Sequence, residues 1–146
     1  MSYASNALCG TAFHEAGHAV VARYFGLTVI EIEIREDASG KTDTVGATDV
    51  LPLIDRVAIY CAGQASRTVF NCRSHALAVS DEHQEISKLM EGLTEDHWLQ
   101  IRNAGYRRAI EIVKRNAPEV ERLASLLVKQ RRIDESTIAQ TMISAA

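Results

Sequence analysis

Proline is scarce in this sequence: only Pro52 and Pro118 occur, and both read as boundaries between elements. Cysteine is scarce as well. Cys9, Cys61 and Cys72 are an odd number without framework spacing, which excludes a disulfide scaffold and favours reduced thiols in a cytoplasmic setting. No apolar run approaches the roughly 18 residues that cross a bilayer, so no membrane span is expected. The opening Met1-Ser2-Tyr3-Ala4-Ser5-Asn6 has no basic segment leading into an apolar run, so a secretory signal is not expected either. Charge of one sign is missing too. Lys and Arg number 16 against 19 Asp and Glu, and a net charge of −3 provides no basic field for nucleic acid. There is no repeat, low-complexity tract or long linker. What is present is 146 residues, 47% hydrophobic and 24% charged, the composition of one core-forming domain spanning residues 1–146.

The pattern is mostly helical. From Ala4 to Phe25 the apolar positions Ala12, Phe13, Ala16, Ala19, Val20 and Tyr24 recur at helical spacing, and Gly26 is a stop signal. Val29, Ile30, Ile32 and Ile34 interleave with Glu31, Glu33 and Arg35 as a half-buried strand. Asp37–Asp43 reads as a polar turn, and Thr44–Val50 as a second short extended piece. Helices are predicted over Pro52–Phe70, from Ser80-Asp81 to Met90, over Trp98–Asn116 behind Thr94-Glu95-Asp96, and from Pro118 to Gln130. Asp134 or Ser136 caps a short last one. The fold class is mainly α (α+β), with about six helices and one small strand unit.

His14-Glu15-Ala16-Gly17-His18 is a His-Glu-x-x-His pentad inside the first helix. At about 100° per residue, positions i and i+4 share a face one turn apart. Two imidazoles so placed can bind one Zn²⁺. Glu15 lies beside such a metal rather than on it, where it can take a proton from the attacking water and pass it to a leaving amine. A shuffled chain of this composition would show the pentad in about 1% of cases. The small, apolar flanks Ala16-Gly17 and Ala19-Val20-Val21-Ala22 argue for a buried helix, and buried histidines need partners. Gly17 is disfavoured inside a helix by about 1 kcal/mol, which points to a close backbone approach. A catalytic zinc takes three protein ligands and keeps an open position. The third can come from Asp81, Glu82, His83, Glu85, His75, His97 or Cys72; Asp81 is favoured, at a helix start in a polar segment.

The stretch Thr11–Val21 around the pentad resembles the zinc-binding helix of the FtsH family of ATP-dependent proteases, peptidase family M41. Tyr60-Cys61-Ala62-Gly63-Gln64-Ala65-Ser66 is similar to that family's second helix, and Ser80-Asp81-Glu82-His83-Gln84-Glu85-Ile86 to the helix start that carries its third ligand. Ala109–Val113 and Leu123–Leu127 resemble its C-terminal helices. The resemblance implies a mostly helical peptidase domain with a small sheet near the zinc site. It also implies His14, His18 and Asp81 as zinc ligands, Glu15 as general base, and an edge strand near Val45-Gly46-Ala47-Thr48 to which a peptide could pair.

There are departures. Arg67 and Thr68 stand where the family has two acids, and Ser80 where it has Asn. Neither the family's ATPase motor nor its membrane anchors are found. Gly40-Lys41-Thr42 looks like the tail of a phosphate loop, but Arg35 stands where the earlier glycine is required, which excludes nucleotide binding. Cys72-x-x-His75 lacks a matching pair for a second metal site, and Cys61 reads as a core thiol. The basic residues Arg102, Arg107, Arg108, Lys114 and Arg115 read as a solvated helix face. The function expected is zinc-dependent hydrolysis of unfolded or extended polypeptides, with a separate ATPase or a homo-oligomer as partner. The alternative is a non-catalytic metal-binding regulatory or adaptor domain.

Overall fold

Helix α1 (Tyr3–Tyr24) runs 22 residues because it has no proline and only Gly10 and Gly17 weaken the helical pattern. The computed structural model describes residues 3–72 and 76–143, with side-chain surroundings over 7–72 and 82–142. Gly26 ends the first helical unit as expected: its φ of +87° suits glycine, and its N–H reaches the Arg23 carbonyl at 3.0 Å. Strand β1 (Thr28–Ile34) follows, then β2 (Gly40–Val45), antiparallel to it. The register of this pair shifts between Val29 and Glu31. That irregularity turns Ile30 outward and lets Val29, Ile32 and Ile34 form the buried face. Strand β2 begins at Gly40, inside the segment read as a turn, and ends at Val45, so the expected extended piece over Thr44–Val50 is displaced toward the N-terminus.

Helices α2 (Leu53–Val69), α3 (Ala76–Leu89), α4 (Glu95–Arg115), α5 (Ala117–Gln130) and α6 (Glu135–Ile143) complete the predicted six. Helix α3 starts four residues before the expected Ser80, because Ala76–Val79 continue the helix. The Thr94 hydroxyl caps α4 by accepting the His97 N–H at 3.4 Å. Pro118 sits in the first turn of α5, where it needs no N–H partner. Asp134 accepts the Thr137 N–H at 2.9 Å and opens α6. Strand β3 (Arg132–Asp134) pairs with the other side of β1, giving a three-stranded antiparallel sheet in the order β2-β1-β3. It was not anticipated, because three residues are too few to show alternation.

Helix α2 packs on α1 and α4, and α1 also packs on α5 and the sheet. Gly17 makes the α1–α2 crossing possible: a Cβ there would lie 2.4 Å from that of Ser66. The Ser66 hydroxyl then donates to the Phe13 carbonyl at 2.6 Å, tying the two helices. The core holds Ile32 and Ile133 from the sheet and Val57, Ile112, Leu123, Leu127 and Ile138 from the helices. Truncating one of the leucines to Ala removes about 2–5 kcal/mol. This packing fixes α1, the helix that carries the pentad.

Candidate metal centre

His14 and His18 stand one turn apart on α1, and α2 shapes the space around both rings. Gly63 faces His14, and a Cβ there would come within 2.4 Å of the imidazole. The ring therefore occupies room that any larger residue would take. His18 Nδ1 lies 3.1 Å from the Ile59 carbonyl. A carbonyl only accepts, so this nitrogen carries a proton, and Nε2 is the atom turned to the site.

Helix α3 brings Glu82 to the same point. Its Oε1 lies 2.5 Å from His14 Nε2 and 2.7 Å from His18 Nε2, and the two Nε2 atoms are 3.2 Å apart. All three groups fall within 4.8 Å, the one such metal-ligating set among the described residues. Their electrostatics follow from burial and charge. Burial disfavours the charged form of His18, but the Glu82 carboxylate outweighs it and raises His18 to about 9. Burial also opposes the Glu82 charge; the His18 charge and the hydrogen bonds from both rings hold that carboxyl down at about 2. For His14 burial wins, and its pKa is lowered, which keeps the ring neutral. The cluster thus balances the Glu82 charge with a proton on His18, in the place where a cation could do so instead. His14 Nδ1 is buried and has no hydrogen-bond partner among the described residues.

Glu15 is buried beside the cluster, and its position comes from β2. The Thr42 hydroxyl lies 2.9 Å from the Glu15 carboxylate. Gly40 allows the contact, since a Cβ there would lie 2.6 Å from Glu15 Cγ. His14, Glu15, His18, Thr42 and Glu82 line one cavity of about 300 Å³, with the edge strand β2 along its rim. Two imidazoles and a carboxylate are a donor set that suits zinc.

The structure brings together three of the residues singled out from sequence, His14, Glu15 and His18. The side chain of the fourth, Asp81, lies outside the described residues, as does His75. Glu82 was one of seven candidates for the third ligand, and only its position in space separates it from those whose side chains are described. Among the rest, His83 is exposed and contacts Arg102, and His97 is exposed on α4. Glu85 pairs with Lys88 at 3.3 Å, and Cys72 lies 3.6 Å from the Phe70 carbonyl. Cys61 is a core thiol, pushed up to about 11 by burial. Arg67, in place of an acid, is 3% exposed, and none of its guanidinium nitrogens has a hydrogen-bond partner among the described residues.

A family model described as Peptidase M50B-like matches residues 5–90, more than half of the chain and the whole span from the pentad to the end of α3. The chain belongs to the Peptidase M50B-like family. M50 peptidases are zinc metallopeptidases, and the His14–His18–Glu82 cluster of this M50B-like chain could hold the metal. The match supports a metallopeptidase domain and does not extend to the narrower M41 likeness. No curated protein matches the sequence. Among the described residues of this M50B-like domain, no helix is long and apolar enough to cross a membrane.

Proposed function

We propose that the chain is a zinc metallopeptidase that hydrolyses peptide bonds in unfolded or extended polypeptides. The observation that carries this reading is the convergence of His14, His18 and Glu82 within 4.8 Å, beside the buried carboxylate of Glu15. His14 and His18 would hold the metal through Nε2, with a carboxylate from the middle of α3 as third ligand. Glu82 is supported by its distances to both rings, and Asp81 by the M41 likeness. When bound, zinc acts as a Lewis acid that activates water and polarises the scissile carbonyl.

The chain's own residues do the remainder. Glu15 accepts the proton of the attacking water and delivers it to the leaving amine. Thr42 holds the Glu15 carboxylate in one orientation while that proton moves. Among the described residues no strand lies beside the outer edge of β2, so its backbone groups can pair with an extended substrate. Recognition through backbone pairing is weakly selective for sequence, which fits unfolded polypeptide as the substrate class. Three cysteines without framework spacing fit a cytoplasmic setting, and the M41 likeness supports a partner that delivers the substrate, either a separate ATPase or further copies of this chain.

The test compares the native chain with Glu15→Gln, reading zinc per chain by elemental analysis and cleavage of casein. About one zinc in both, with cleavage by the native chain alone, is the expected result. Zinc in both with cleavage by neither would mark a metal-binding regulatory or adaptor domain. A chain never exposed to chelator and yet free of zinc overturns the reading. Zinc titrations of Asp81→Ala and Glu82→Gln identify the third ligand.

A further inference from the structure

Glu82 and Tyr60 line two cavities. One is the metal centre; the other, about 280 Å³, is walled also by residues of α2, α3 and α4. The most distinctive group in this second cavity is Arg102. Its guanidinium lies over the Trp98 ring, 5.4 Å from the centroid, and one of its nitrogens lies 3.0 and 3.1 Å from the two ring nitrogens of His83. Two aromatic rings therefore hold the cation in place, and neither neutralises it.

Elsewhere Arg108, Arg115, Arg122 and Arg132 each meet a carboxylate: Asp55, Glu111, Glu119 and Glu31. Arg102 meets none among the described residues. The one carboxylate among the described residues that shares its cavity, Glu82, is engaged by His14 and His18. A half-buried guanidinium that is preorganised, lines a concave site and meets no carboxylate of the described residues is suited to a carboxylate ligand, which its planar fork can bind with two parallel hydrogen bonds. Gln64 and Asn103 add amide groups to the same lining.

We propose that this second cavity is a carboxylate-binding subsite, in which Arg102 reads an acidic side chain or a terminal carboxylate of a polypeptide lying at the metal centre. The proposal rests on the peptidase reading, for it assumes that a peptide occupies the adjoining cavity.

The test separates the two. Trp98 is the only tryptophan in the sequence, so its fluorescence reports on the Arg102 cavity. Zinc-loaded Glu15→Gln chain is titrated with hexapeptides blocked at both ends that carry Glu, Gln or Lys at one central position. A fourth peptide has Gln at that position and a free C-terminal carboxylate. A carboxylate is expected to tighten binding about 10-fold over the blocked Gln peptide, with Lys weakest. Gain with central Glu identifies a side-chain subsite, and gain with the free end alone identifies a chain-terminus subsite. Arg102→Gln should reduce the preference to about 1, and Arg102→Lys, which keeps charge but loses the fork, should retain part of it. Equal binding of all four peptides, or an unchanged preference in a folded Arg102→Gln chain, overturns the proposal. Cleavage by the native chain is read on the same peptides. Selective binding with no cleavage leaves the subsite standing and removes the peptidase reading; cleavage indifferent to charge does the reverse.

Discussion

The Thr42 hydroxyl lies 2.9 Å from the Glu15 carboxylate and 3.2 Å from the carbonyl oxygen of the same residue. An edge strand and a buried helix are thereby joined at the candidate base. A hydroxyl that donates to a carboxylate fixes its rotamer. Thr42→Val keeps the shape and removes the donor. It is expected to lower kcat about 10-fold, with zinc content unchanged and KM altered less than twofold. Steady-state kinetics on one peptide substrate decide this; an unchanged kcat would deny the contact a role in positioning Glu15.

Glu15→Gln keeps size and hydrogen bonding to Thr42 and loses only the base. Its cleavage rate should fall by about 10²–10⁴. The thermal transition of the zinc-loaded protein should stay within a few degrees of the native one, because Glu15 is not among the three converging donors.

Gly63 stands against His14 closely enough that a methyl group cannot be added without moving the ring. Gly63→Ala is expected to weaken zinc binding at least 10-fold and to destabilise the chain by about 1–3 kcal/mol. Competition with a chromogenic chelator measures the first, and urea unfolding of the metal-free protein the second. Native zinc affinity in this variant would show that the ring can retreat at no cost.

Acidity enters through the same cluster. In the metal-free chain His18 is raised from 6.5 to about 9. Its contribution to stability is fully present below pH 6.5 and is lost as pH rises toward 9. Glu82 is lowered from 4.5 to about 2, so its contribution is present above pH 4.5 and is lost as pH falls toward 2. The lowered pKa of His14 acts in the opposite sense to that of His18, costing stability as pH falls below 6.5. The alkaline limb is therefore the clearer readout. Urea midpoints of chelator-treated protein should fall between pH 6.5 and 9, and Glu82→Gln should flatten that fall. Zinc affinity should rise over the same range, since the metal and the His18 proton compete for one nitrogen.

Arg67 invites a change of the opposite kind. A buried guanidinium that no described residue hydrogen-bonds is destabilising, and an apolar residue of similar length removes the unmet demand. Arg67→Met is expected to raise the melting temperature by a few degrees. A lower melting temperature would mean that its charge, felt by Glu82 and Glu15, does more for the fold than its burial costs.

The helical frame was legible because α2, α4 and α5 carry long apolar stripes, α1 is a long run of small apolar residues buried on nearly every side, and the two prolines and Gly26 mark where segments change. His14, Glu15 and His18 were legible for a local reason: i and i+4 on one helix meet whatever the rest of the chain does. The third donor lies 64 residues beyond His18, and no local pattern separates Glu82 from its neighbours. Only the packing of α3 against α2 distinguishes it from His83 and Glu85. Strand β2 was misplaced because Gly40-Lys41-Thr42-Asp43 has turn-like composition, and its extended form is imposed by pairing with β1. The outward turn of Ile30 depends on a register shift that alternation in the sequence does not encode. The cavity around Arg102 was hidden for the same reason: on its own helix that residue looks like one more exposed cation.

The pairing of β3 with β1 sets an order of events. Ile32 finds Ile133 across the strand pair, and Glu31 finds Asp134, about a hundred residues later in the chain. As the chain is synthesised, the pentad and Glu82 emerge well before the segment that completes the sheet. Such contacts of long sequence separation form slowly, because much chain entropy is lost before they contribute. Until then β1 has a bare edge on the side away from β2, and a nascent chain can have its histidines paired while its central strand remains open to other strands. The helix that bears the pentad thus precedes by about a hundred residues the strand that closes its sheet, and β3, held between α5 and α6, is the piece that covers the bare edge of β1.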